Sequence, residues 1–124
     1  MSEVRSYRDL LVWQRAMDLA AATYELTRAY PRDELFGLTS QSRRAAVSIA
    51  ANIAEGYGRA SRRTYSHFLR IAQGSLKELE THLILAERVG ATSQGSTETI
   101  LEKADELGRM LRSLISKVQE QRAG

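Results

Sequence analysis

Apolar residues recur along most of the chain at alternating spacings of three and four, the period of an α-helix that buries one face. In the first such segment, residues 7–30, Val12, Trp13, Ala16, Met17, Leu19, Ala20, Tyr24 and Thr27 share a broad face, with Gln14, Asp18, Glu25 and Arg28 opposite. Pro31, the single proline, ends it. A second segment, 38–57, is alanine-rich and closes at Gly56 and Gly58, which suit a C-terminal cap and turn. The third, 61–89, opens on Ser61 as N-cap, runs through Phe68, Ala72, Leu76, Leu79, Leu83 and Ala86, and stops at Gly90. In the fourth, 96–121, Ser96 or Thr97 is the cap, and Ile100, Ala104, Leu107, Leu111, Leu114 and Val118 form a narrow seam. No segment alternates with period two. The pattern predicts one all-α domain over residues 1–124, an antiparallel up-down-up-down four-helix bundle.

The second helix carries more than a core face. Projected at about 100° per residue, Leu38, Ala45, Ile49, Ile53 and Gly56 form one side, and Val47, Ala50, Ala51 and Ala54 a second. A helix apolar on two sides is buried on two sides. The second side is therefore expected to meet another subunit, unless the helix is central in its own bundle. Between the two runs a polar stripe of Gln41, Arg44, Ser48, Asn52 and Glu55, matched on the third helix by Thr64, Ser75, Glu78 and His82. Unpaired polar groups are costly when buried, so Arg44, Ser48, Asn52, Glu55, Ser75 and Glu78 are read as a structural network that fixes helix register.

Composition narrows the function classes. The chain has 124 residues, enough for one ordinary core, and no cysteine, so thiolate metal sites and disulfides are excluded. No apolar leader precedes Arg8, and no run approaches the roughly 18 apolar residues of a membrane span. A cytoplasmic protein without membrane contact is expected.

Charge changes the picture more. The net charge is +3, but residues 41–77 hold Arg43, Arg44, Arg59, Arg62, Arg63, Arg70 and Lys77 against Glu55 alone, a net of +6 that leaves −3 for the rest. Arg63, Arg70 and Lys77 recur every seven residues and make a basic stripe along the third helix. Arg43, Arg59, Arg62, Arg63, Arg70 and Lys77 are the candidate nucleic-acid-binding residues, contacting phosphates and not base edges. Arg44 could join them if its stripe is not buried. Such a stripe on a lone bundle is ordinarily a solvated face, but a symmetric oligomer would repeat it into a continuous basic surface.

Catalysis finds little support in these residues. With two histidines, and Glu78 and His82 spaced by four, the Glu-x-x-His pairs of a di-metal bundle are missing. No serine sits in a Gly-x-Ser-x-Gly elbow. Arg62 and His67 resemble the Arg-x4-6-His signature of small helical HEPN ribonucleases, a short pattern that arises readily among fifteen arginines. The chain is read as a non-enzyme with no metal or cofactor.

Longer motifs carry a resemblance. Asp9-Leu10 with Val12-Trp13-Gln14, the run from Arg43-Arg44-Ala45-Ala46 through Ser48-Ile49-Ala50-Ala51-Asn52-Ile53-Ala54-Glu55-Gly56, and Ile71-Ala72-Gln73-Gly74-Ser75-Leu76 with Glu78-Leu79-Glu80 resemble the four-helix bundle proteins encoded in intervening sequences of bacterial 23S ribosomal RNA genes. These are in turn similar to the accessory variability proteins of diversity-generating retroelements. The resemblance covers nearly the whole chain and implies a homopentamer, a ring of five bundles, with a basic surface for structured RNA or another nucleic acid. The rival expectation is a scaffold that binds a protein partner without touching nucleic acid.

Overall fold

The computed structural model describes residues 3–123, and the side chains of 3–120. Met1, Ser2 and Gly124, the ends of the expected domain, lie outside the described residues. Four α-helices, α1 (Leu11–Thr27), α2 (Ser40–Tyr57), α3 (Arg62–Arg88) and α4 (Glu98–Ala123), account for most of these, with no strand among them. Each helix packs on its neighbour in sequence, and α1 against α4 closes the bundle.

Helix ends differ from the periodicity where local caps intervene. Ser6 and Asp9 form a capping box around a separate 3-10 turn, Tyr7–Asp9, and Leu10 is extended (φ −73°, ψ 127°), so α1 begins at Leu11 and not at residue 7. Before α2, a π-helical turn, Leu35–Thr39, is broken at Gly37 (φ −108°, ψ −113°), and the Glu34 carboxylate accepts the Leu38 N–H at 3.1 Å. Ser61 caps α3 by accepting the Thr64 N–H at 3.0 Å. Gly90 ends that helix with φ +79°, a left-handed turn in which the Ala86 carbonyl accepts the Ala91 N–H at 2.9 Å.

The core is assembled from one face of every helix: Val12, Ala16 and Leu19; Ala45, Ile49 and Ile53; Leu69, Ala72, Leu76, Leu79 and Leu83; Ile100, Ala104, Leu107 and Leu111. Each fully buried Leu or Ile side chain contributes about 1.5–3 kcal/mol. The buried face of α1 is narrower than its apolar pattern, because Met17 and Tyr24 are exposed while Thr23 and Thr27 are buried. Both threonine hydroxyls are satisfied by donating to carbonyls four residues back, at 2.8 Å.

Helices α2 and α3 approach closely at Gly56. This residue is not a cap, as the sequence suggests, but a buried position inside α2 where a Cβ would lie 2.7 Å from that of Phe68. Beside it the half-buried Tyr65 packs edge-on against Tyr57, and burial pushes the Tyr65 hydroxyl up to about 12. Contacts along this pair run from Gly56–Phe68 to Ser48–Ser75.

Candidate functional site

The polar residues between α2 and α3 divide into two groups. Ser48 and Ser75 share a hydrogen bond of 2.8 Å, and the Asn52 amide donates to the Ser48 carbonyl at 2.8 Å and to its hydroxyl at 3.0 Å. Arg44, Glu55 and Glu78, expected in the same network, are exposed instead. They lie toward the solvent edge of their helices, and Glu55 pairs with Arg59 one turn on. What remains is a small interhelical clamp of neutral groups.

The expected second face of α2 also divides. Val47 is 46% exposed, Ala51 is exposed and Ala54 half-buried, whereas Ala50 is 4% exposed and packs in its own core. Ala50 therefore does not belong to an outward face. With Ala46 fully buried, the inward arc of α2 is wider than the line of isoleucines that marks it.

Val47 borders a groove of about 670 Å³ with Tyr24, Leu35, Phe36, Arg43 and Ser48. Leu38 turns inward to the small cluster of Tyr30, Ala86 and Ala91, while the π-turn directs Leu35 and Phe36 outward, 48% and 92% exposed. An exposed phenylalanine flanked by other exposed apolar side chains is the mark of a contact surface. Sequence reasoning missed both residues because they lie in a short connection; the signal was two bulky apolar side chains in a segment that a solvated turn would fill with polar ones.

The candidate cations fare unequally. Arg43 lies over the Tyr24 ring at 4.5 Å and donates from Nε to the Thr27 hydroxyl at 2.9 Å, so its charge is held on α1. Arg59 lies over Phe68 at 5.3 Å and is paired with Glu55. Lys77 is exposed with Nζ 3.0 Å from Glu80. Arg62 and Arg63 are exposed at the start of α3, and Arg70 is exposed two turns on from Arg63. Arg63 and Arg70 form no ion pair among the described residues. His67 is exposed on the same helix, edge-on to Phe68 at 5.7 Å. Among the described residues no three His, Cys, Asp or Glu side chains gather as a metal site. No helix among them is long and apolar enough to cross a membrane.

Beyond these candidates, Glu87 at the end of α3 accepts the Gly95 N–H at 2.8 Å, the Thr97 N–H at 3.1 Å and the Thr97 hydroxyl. These donors, the Thr97 hydroxyl foremost, hold its carboxyl below the ordinary glutamate value. The clasp fastens the connection to α4. Tyr30 is shifted upward by burial and, less, by Glu87.

No curated protein matches the chain. Among solved structures, it is similar to a protein of unknown function from the S23 ribosomal protein family of Bacteroides thetaiotaomicron, with 26% sequence identity and a TM-score of 0.77 over 85% of this chain and 98% of that one. The helix-two run and the helix-three run quoted above both lie within residues 8–113, the part matched by the family profile, and the chain belongs to the 23S rRNA-intervening sequence protein family.

Proposed function

We propose that the protein is a non-enzymatic, homo-oligomeric binding protein that holds RNA or another nucleic acid through phosphate contacts, without reading base sequence. The carrying observation is that Arg63 and Arg70, seven residues apart on one face of α3, are exposed and unpaired among the described residues. Arginines so placed are free to take phosphate oxygens through their planar forks. The helices are inferred to run up-down-up-down, in keeping with contacts that pair Gly56 with Phe68 and Ser48 with Ser75. The cytoplasm is the proposed compartment.

Self-association is the second part of the reading, and Phe36, Leu35 and Val47 support it. Their burial against a second copy would remove the largest exposed apolar side chains near the groove from water. A ring of five is the assembly implied by the resemblance. Light scattering tests it: the wild-type chain of 13.9 kDa should run at several times that mass, and Phe36→Ser should return it to the monomer with its helicity unchanged. A monomeric wild type would end this part of the proposal.

The same exposed apolar side chains also favour the rival, a scaffold for a protein partner. Salt separates the two. Binding of a structured RNA through several phosphates should weaken by orders of magnitude between low and moderate salt, while an apolar protein interface should hold. Absence of RNA binding at low salt would leave the scaffold as the reading.

A further inference from the structure

The basic stripe of α3 borders a second surface that the sequence does not join to it. Between α3 and α4 lies an open groove of about 540 Å³, bordered by Arg70, Gln73, Gly74 and Lys77 on one side and by Arg112 and Ser116 on the other. Among the described residues no carboxylate lines it. The contrast with its neighbours is plain: the hollow between α1 and α4 pairs Arg15 and Lys103 with Asp18 and Glu106, and that near the α3–α4 connection sets Arg88 beside Glu87. Here three cations face a common space, one more than in the groove at Phe36, lined by Arg43 and Arg44, or in the hollow of Leu10 and Met110, lined by Arg109 and Lys117.

Two of the three are uncommitted. Arg70 and Arg112 are exposed and form no ion pair among the described residues, and Lys77 is tied only to Glu80 of its own helix, at 3.0 Å. Between Arg70 and Lys77, Gly74 leaves the groove wall bare, since a Cβ there would meet nothing within 4 Å. A ligand backbone can approach the helix at that point, with long basic side chains on both sides of the groove. The Gln73 amide reaches the Gly108 carbonyl on α4, at 3.4 Å, and spans the groove floor.

We propose that this α3–α4 groove is where the RNA backbone sits, with Arg112 of α4 completing a phosphate site begun by Arg70 and Lys77. The inference rests on the nucleic-acid reading above and sharpens it. It moves the site away from Arg43 and Arg59, whose charges are held on their own chain, and brings in a residue from outside the basic segment. Among the described residues none lines both this groove and the apolar one at Phe36, so the two surfaces are distinct.

The test uses the full chain and a fluorescently labelled RNA hairpin, followed by anisotropy across a salt series. Arg112→Glu and Arg70→Glu should each weaken binding at least tenfold at low salt and flatten the salt dependence, because each phosphate contact contributes about one unit of slope. Arg112→Lys should keep part of the affinity. Lys117→Glu, the same charge change on α4 beside the α1 face, should change it less than twofold. All three residues are exposed, so circular dichroism should report unaltered folding. If the wild type binds RNA and Arg112→Glu behaves like Lys117→Glu, the groove is overturned while the nucleic-acid reading stands. If the wild type binds no RNA at low salt, the reading fails and the groove assignment with it.

Discussion

Helix α3 has two unlike flanks. Toward α2 it meets small residues at close range: Gly56 against Phe68, Ser48 against Ser75, and Ala45 and Ile49 in the buried layer. Toward α4 the deep layer is filled just as well, by Leu76 against Gly108, but the outer layer stands open as a basic groove. On the first flank Ser48, Asn52 and Ser75 are spent on one another within one chain. The second leaves cations unspent. A bundle can thus keep its stability and its binding chemistry on opposite sides of one helix, and substitutions should distinguish the sides.

The largest effect should come from the closed flank. Ile53 is fully buried, and Ile53→Ala removes three carbons from a layer that cannot collapse, costing about 2–5 kcal/mol. Chemical denaturation monitored by circular dichroism checks this, and a loss below 1 kcal/mol would mean that the α2–α3 layer is far looser than its geometry.

Two glycine substitutions of identical chemistry should then have opposite signs. In Gly56→Ala the new methyl would sit 2.7 Å from the Phe68 Cβ and 3.3 Å from the Tyr65 carbonyl, so backbone must move. Overpacking of this kind costs about 1–3 kcal/mol, more than the roughly 1 kcal/mol that alanine regains in a helix interior. In Gly74→Ala nothing lies within 4 Å, and stability should rise by up to about 1 kcal/mol. Melting temperatures moving in the same direction for both would erase the proposed difference between the flanks.

The smallest effect is acid sensitivity. The Thr97 hydroxyl, with the Gly95 and Thr97 amides, favours ionised Glu87 and depresses its folded-state pKa. A depressed carboxyl contributes stability that is fully present above the unfolded value and lost as pH falls through the folded one. Acidification below the ordinary glutamate range should therefore loosen the α3–α4 connection, while the neutral Ser48–Ser75–Asn52 clamp is untouched. Protection of the Gly95 and Thr97 amides from exchange, relative to their intrinsic rates at each pH, should fall in acid, and Glu87→Gln should already show that loss at neutral pH.

Periodicity made much of this legible. Ala72, Leu76, Leu79, Leu83 and Ala86 fall in the buried face of α3 as their spacing requires, and the Ser61 cap follows from residue type. Positions at the edge of a face were harder. Phe68 stands half-buried beneath Arg59 while its neighbour Leu69 takes the core, because α3 is covered from two directions and one angular projection cannot weight them. Ala50 was misplaced for a related reason: alanine is small enough to be buried beside the main stripe wherever helices approach closely. Phe36 was legible only as a bulky apolar residue in a connection, and Arg112 not at all. One lies in a connection whose bend at Gly37 sets its direction, and the other joins Arg70 and Lys77 only through the packing of α4 on α3.

The four-residue connection from 58 to 61 has a bearing on how the chain reaches its structure. Closing so short a loop sacrifices little entropy, and the two helices it joins make the most extensive contact in the bundle. The α2–α3 pair is thus the expected nucleus of folding, and the α1–α4 contact, which spans most of the sequence, is expected to close last. Destabilising changes at Ser61 or Ile53 should accordingly slow folding, and those where α1 meets α4 should instead speed unfolding.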